Sequence, residues 1–80
     1  MNENNFILEL LKYGIDPGII CFNNNARDDA FCVRDNYSIV EVFYRERGKE
    51  YDLRKFPNRE LALEYLLNKI LSISGKQKID

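Results

Sequence analysis

Residues 38–56, which read SIVEVFYRERGKEYDLRKF, decide the fold of this chain. Two runs of alternating apolar and polar side chains flank a turn at residues 46–49, where Gly48 supplies the positive φ that a tight turn requires. We therefore predict a hairpin whose first strand covers residues 37–45 and whose second strand covers residues 50–56.

The alternation within each strand predicts which side chains share a face of the sheet. The first strand of this hairpin carries apolar residues on both faces, which is typical of a central strand, so Glu41 is expected near an exposed margin or paired with a basic side chain. In the second strand, we expect Tyr51, Leu53 and Lys55 on one face and Asp52, Arg54 and Phe56 on the other.

Two further strands are predicted upstream, at residues 19–22 and residues 30–34, with a polar loop at residues 23–29 between them. Asp35-Asn36 is expected to form a two-residue connection to the hairpin, because Asn and Asp tolerate positive φ. Parallel strands normally need a crossover of a dozen or more residues. The short connections therefore predict an antiparallel arrangement throughout.

Helices are predicted at both ends of the chain. Residues 4–13 carry apolar side chains at helical spacing, with Asn4 or Asn5 as the cap. A second helix is predicted from a cap at Asn58 to about residue 74, after Pro57 ends the sheet. The side chains expected to widen its apolar face are Tyr65 and Ile73.

The predicted order is helix, four-stranded antiparallel β-meander, helix, which is an α+β fold in a single domain spanning residues 1–80. We expect both helices to pack on one face of the sheet. The other face is expected to stay partly open to solvent or to a partner. Residues 76–80 are expected to form a frayed polar tail.

Composition narrows the class of protein. The net charge is -1, whereas proteins that bind nucleic acid usually carry a basic face. We find no signal-peptide pattern and no apolar run long enough to span a membrane, so a cytoplasmic protein is expected. Cys21 and Cys32 lie in apolar runs, which favours two buried thiols; a disulfide between neighbouring strands is the alternative.

The sequence offers little for catalysis. Histidine is absent, which removes the commonest general base and metal ligand near neutral pH, and two cysteines alone do not make a zinc site. Asp28-Asp29 follows an Asn run, but the spacing does not match a calcium-binding EF-hand loop, and a solvated loop is the favoured interpretation. We therefore predict that the chain is not an enzyme and holds no metal or cofactor.

The hairpin carries the candidate contact residues, because Tyr and Arg are enriched at binding hot spots. Two interpretations stay open: a solvated turn whose ion pairs contribute little, or an interface. Glu46 and Arg47 also have a structural alternative, in which both pair inward to fix the hairpin. The residues predicted to contact a partner are Tyr44, Arg45, Glu46, Arg47, Tyr51 and Asp52.

Four segments together carry a resemblance to a known family: residues 31–33 (FCV), 39–48 (IVEVFYRERG), 52–56 (DLRKF) and 60–67 (ELALEYLL). The pattern resembles small immunity proteins encoded beside bacterial polymorphic toxins. The resemblance implies a cytoplasmic inhibitor that binds one cognate toxin domain and blocks its active site or its maturation. Phe31, Ile39 and residues 57–59 depart from that pattern, and these departures concern which class of toxin is bound.

Two other functions compete with this one. A homodimeric adaptor or structural domain would use the open sheet face for self-association and would have no toxin partner. A small regulator of nucleic acid would bind DNA or RNA in a salt-dependent way, which the near-neutral charge disfavours.

Overall fold

The computed structural model describes residues 1–22 and 27–75, and it confirms an α+β fold with one helix before and one after a four-stranded sheet. The predicted loop at residues 23–29 is described only from Arg27 onward, and the predicted tail at residues 76–80 lies outside the described residues. In chain order the elements are α1 (Glu3–Lys12), a 3-10 turn (Pro17–Ile19), β1 (Ile20–Cys21), β2 (Ala30–Asn36), β3 (Ile39–Glu46), β4 (Lys49–Phe56) and α2 (Arg59–Ile73).

The strands lie in the order β1-β2-β3-β4, and β3 is central, as predicted. The expected all-antiparallel meander is wrong at one pair, since β1 runs parallel to β2, while β2–β3 and β3–β4 are antiparallel. The rule that parallel strands need a long crossover applies to strands of ordinary length. Here β1 has only two residues, so the return path is about 7 Å, and residues 22–29 are enough to cover it.

The turn between β3 and β4 forms where it was predicted. Glu46 pairs with Lys49, and the two residues between them both have positive φ, 52° at Arg47 and 77° at Gly48. Two successive left-handed residues are the pattern of a type I′ turn, whose twist matches that of the flanking strands.

The turn between β2 and β3 differs from the prediction. Asp35 and Asn36 continue β2, and the connection is Tyr37-Ser38, with φ of 58° at Tyr37. The observed register sets Val33 directly opposite Val42, and both side chains are buried in the core. A turn two residues earlier would lose that pairing, so packing overrides the local preference of Asp and Asn for turns.

A β-bulge interrupts β4. Val42 pairs with Arg54 and Tyr44 pairs with Tyr51, so two residues of β4 lie opposite the single residue between them on β3. The extra residue is Asp52, with φ of 55°. The predicted strict alternation of β4 is therefore wrong: Tyr51 shares a face with Tyr44, whereas the odd-numbered residues beyond the bulge do not.

Both helices pack on one face of the sheet, as predicted, and form the main core with β2 and β3. Asn58 caps α2 by accepting a hydrogen bond from the Leu61 backbone at 2.9 Å, which confirms that prediction. The cap of α1 is Asn2 rather than Asn4 or Asn5, because α1 begins one residue earlier than expected. The buried members of this core are Phe6, Leu10, Tyr13, Ile20, Val33, Val40, Val42, Ala62, Leu63, Leu66, Leu67, Ile70 and Leu71.

A smaller apolar cluster occupies the opposite face of the sheet. It consists of Cys21, Ala30, Cys32 and Phe43, with Leu53 packed against it. Both cysteines are buried thiols, as predicted, and no disulfide joins them. At these positions the face is therefore buried rather than left as an open apolar surface.

Candidate functional site

The six predicted contact residues all lie at the hairpin end of the sheet, but they do not form one patch. Tyr44, Tyr51 and Asp52 line the side of the sheet on which the helices pack. Glu46 and Arg47 form the exposed turn between the strands. The sixth, Arg45, points to the opposite face together with its cross-strand neighbour, Glu50.

A shallow groove runs between this end of the sheet and the C-terminal half of α2. Its lining residues are Phe31, Tyr44, Asp52, Lys69 and Ile73, and we call it the hairpin groove.

The floor of the hairpin groove is aromatic. Phe31 and Tyr44 pair across β2 and β3, with ring centroids 5.0 Å apart and planes inclined at 67°, an edge-to-face contact. Tyr51 lies directly opposite Tyr44 on β4 and is 48% exposed, so it extends the aromatic surface beyond the groove. This register makes the two tyrosines direct cross-strand neighbours.

One ion pair forms the wall of the hairpin groove. Lys69 on α2 donates a hydrogen bond to Asp52 at the bulge, and the ammonium group lies 5.8 Å from the centroid of the Tyr65 ring. The bond from Lys69 lowers the pKa of the Asp52 carboxyl and raises the pKa of the Lys69 ammonium. Both groups are therefore charged at neutral pH, and they tie β4 to α2 beside the aromatic floor.

The turn itself is braced from outside the hairpin. Asp28 accepts hydrogen bonds from the Gly48 backbone at 2.9 Å and from Arg45 Nε at 3.1 Å. The backbone N–H of Asp29 donates to the Arg45 carbonyl at 2.7 Å. A solvated loop was predicted for these two aspartates, because no local pattern shows that Asp28 reaches a glycine 20 residues away.

Glu46 and Arg47 are left without such contacts. Within residues 1–22 and 27–75, neither side chain makes an ion pair or a hydrogen bond, and both residues are exposed. The alternative in which they pair inward to fix the hairpin therefore finds no support among the described residues, and Asp28 supplies the fixing instead. The turn presents one carboxylate and one guanidinium on a rigid support.

A buried carboxylate organises the opposite face. Glu41 is only 5% exposed and accepts a hydrogen bond from Arg34 Nε at 2.9 Å, which confirms the predicted pairing with a base. Arg34 also donates to both carboxylate oxygens of Glu50, and its guanidinium lies 4.5 Å from the centroid of the Phe43 ring. The hydrogen bond from Arg34 lowers the pKa of the Glu50 carboxyl. This cluster covers the smaller apolar cluster with paired charges.

Three residues of the hairpin groove were not predicted as site residues. Phe31 was assigned to a strand interior, and Lys69 and Ile73 to the second helix. Ile73 was expected to widen the buried face of that helix, but it is 66% exposed. Only the docking of α2 on the sheet brings these three together, and no spacing in the sequence encodes that docking.

The groove holds no arrangement typical of catalysis. It contains one carboxylate and one amine already bonded to each other. No group of three or more potential metal-ligating side chains occurs in the described part of the chain. Neither described helix has the length and apolar character that a membrane crossing requires. The groups that this surface presents are aromatic rings, opposite charges and a braced turn.

No protein-family model matches the chain, and no curated protein or solved structure matches it.

Proposed function

We propose that this chain is an immunity protein that binds a cognate bacterial toxin domain in the cytoplasm and neutralises it by occupancy, without catalysis. Its contact surface consists of the hairpin groove together with Tyr51 and the turn residues Glu46 and Arg47. The observation that carries the proposal is the pairing of a rigidly held turn, whose charges have no partner among the described residues, with an exposed aromatic surface beside it.

The energetics of binding favour such a surface. Tyrosine and arginine are enriched at interface hot spots. Tyrosine buries a large, rigid area at a low cost in side-chain entropy, because it has only two χ angles. The turn is braced by Asp28 before any partner arrives, so little ordering entropy is lost on binding. The carboxylate of Glu46 and the guanidinium of Arg47 can each pair with an opposite charge on a partner, which would fix the register of the complex.

The resemblance to immunity proteins is the reason for proposing a toxin domain as the partner. The segments that carry the resemblance include Tyr44, Glu46, Arg47 and Asp52, which the structure places around the turn and the groove. Inhibition by occupancy also fits a chain whose described surface offers binding groups and no catalytic set.

The test is co-expression with the C-terminal domain of the protein encoded immediately upstream. We expect the domain alone to kill cells, this chain to restore growth, and a tag on either partner to recover both. A harmless neighbour, or one that kills regardless of this chain, would contradict the proposal. A stable dimer in isolation together with a harmless neighbour would support the homodimeric adaptor instead.

The chain offers a matched control for the contact surface. Tyr51→Ala and Tyr37→Ala each remove one exposed tyrosine, but Tyr37 lies in the β2–β3 turn at the other end of the sheet. We expect Tyr51→Ala to weaken toxin binding by ~2 kcal/mol, as at interface hot spots, and Tyr37→Ala to leave it unchanged. Equal losses in both variants would place the contact surface elsewhere.

A further inference from the structure

Cys21 and Cys32 face each other across the parallel pair β1–β2. They are direct register partners, so their side chains lie on the same face of the sheet, within the smaller apolar cluster. Adjacent strands lie about 4.7–4.9 Å apart, which is inside the range of about 4.4–6.8 Å between Cα atoms that a disulfide requires. This register therefore places the two Cα atoms within the range that a disulfide spans.

The side chains show the same proximity. Burial raises the pKa of the Cys32 thiol, and the nearby Cys21 thiol adds to the rise. Arg27 Nη1 donates a hydrogen bond to Cys21 Sγ at 2.8 Å, and the same guanidinium bonds to the Gly18 carbonyl. The site thus combines Cys21, whose sulfur accepts a hydrogen bond from a guanidinium, with a second thiol on its direct register partner.

Access to the pair depends on β1. Both thiols are buried, with 5% exposure at Cys21 and 2% at Cys32. However, β1 is a two-residue strand at the edge of the sheet, held to β2 by a single short register. Short edge elements open locally at a small fraction of the global unfolding free energy. Opening of β1 exposes Cys21 first, because Cys32 stays paired with β3.

We propose that Cys21 and Cys32 form a redox-active dithiol that closes to an internal disulfide by exchange with a low-molecular-weight disulfide such as oxidised glutathione. The Cys21 thiolate attacks one glutathione sulfur, forms a mixed disulfide and releases one glutathione thiolate. The Cys32 thiolate then attacks Cys21 Sγ and releases the second. The two protein thiols are oxidised, one glutathione disulfide is reduced to two thiols, and the two protons pass from the protein to the released thiolates.

The disulfide would fasten β1 to β2 covalently. It lies on the sheet face opposite the hairpin groove, so this modification does not depend on the proposed partner. Its signature is an effective concentration of the second thiol that is higher in the folded chain than in the unfolded one.

The experiment titrates the full-length chain with mixtures of reduced and oxidised glutathione, in buffer and in concentrated urea, and measures each species by mass spectrometry after acid quenching. We expect the native chain to lose two hydrogen atoms and to form the disulfide at least ~10-fold more readily than the chain in urea, a difference of about 30 mV in potential. The oxidised form is expected to show a higher Tm, which returns to its original value on reduction.

Single variants separate the steps. Cys32→Ser is expected to stop at the glutathione adduct of Cys21, and Cys21→Ser to react more slowly, because Cys32 lies in the interior of the sheet. Three results would each overturn the proposal: adducts without ring closure in the native wild type, intermolecular dimers, or an equal or lower tendency to close in the native chain than in urea. Because reaction of the folded chain is scored by mass, a variant that fails to fold is recognised by its urea-like behaviour and does not mask the wild-type result.

Discussion

Replacement of Arg47 by glycine is expected to stabilise the protein. Arg47 has φ of 52°, a left-handed conformation that non-glycine residues rarely adopt, and its side chain makes no ion pair or hydrogen bond within residues 1–22 and 27–75. The turn therefore holds a residue in a strained backbone conformation, and no hydrogen bond or ion pair of its side chain with the described residues offsets that strain. Such strain is retained where a side chain serves another purpose, here the proposed contact with a partner.

The magnitude follows from two opposing effects. A left-handed L-residue costs roughly 1–2 kcal/mol, which Arg47→Gly removes. Glycine loses more backbone entropy on folding, which costs roughly 0.5–1 kcal/mol. The net expected gain is about 0.5–1 kcal/mol in the free energy of unfolding, or a rise of a few degrees in Tm for a chain of this size.

The neighbouring glycine provides the matched control. Gly48 has φ of 77°, and a Cβ added there meets no atom within 4 Å, so Gly48→Ala tests backbone strain without steric clash. We expect it to lower the free energy of unfolding by about 0.5–1 kcal/mol, the same size with the opposite sign.

Urea unfolding followed by circular dichroism measures both variants against the wild type. If Gly48→Ala destabilises as expected while Arg47→Gly is neutral or destabilising, the Arg47 side chain supports the turn. In that case the structural interpretation replaces the interface one. If Arg47→Gly stabilises the fold and weakens toxin binding, the side chain is retained for recognition.

Three further predictions concern stability. The hydrogen bond from Arg34 lowers the pKa of the Glu50 carboxyl below its ordinary value of 4.5. The stability that this bond contributes is therefore present above pH 4.5 and is lost as the pH falls through the lower pKa of the folded state. We expect the free energy of unfolding to fall less steeply with acid in Glu50→Gln than in the wild type. Leu66 is fully buried, and Leu66→Ala is expected to cost about 2–5 kcal/mol, enough to leave the variant largely unfolded by circular dichroism. Asn58→Ala removes the bond from the Leu61 backbone and should cost about 1 kcal/mol in thermal unfolding, whereas an unchanged Tm would show that water replaces the cap.

Local signals predicted the β3–β4 hairpin because Gly48 and the alternation around it act within a few residues of one another. The same kind of signal misled at Asp35-Asn36, where the turn lies two residues later. That register is set by the packing of Val33 against Val42, which lie nine residues apart in the sequence. The turn preferences of single residues carry no information about this packing. The parallel direction of β1 was missed for a related reason, since strand length rather than loop composition determines it.

The candidate site likewise has one part that the sequence predicted and other parts that it did not. The proximity of Tyr44 and Tyr51 follows from the hairpin alone, so the sequence was enough to predict it. The contributions of Phe31 and Lys69 depend on how a strand and a helix dock from distant parts of the chain. The hydrogen bond between Asp28 and Gly48 joins residues 20 positions apart, and no sequence pattern predicts it.

The bulge at Asp52 has a consequence for how other chains approach the sheet. β4 is an edge strand of eight residues, long enough to template a further strand through its unpaired N–H and C=O groups. The left-handed residue in its middle breaks that row and bends the strand, while the charged side chains along it discourage a flat neighbour. These features disfavour edge-to-edge polymerisation, and the proposed partner would engage this edge through side chains rather than by extension of the sheet.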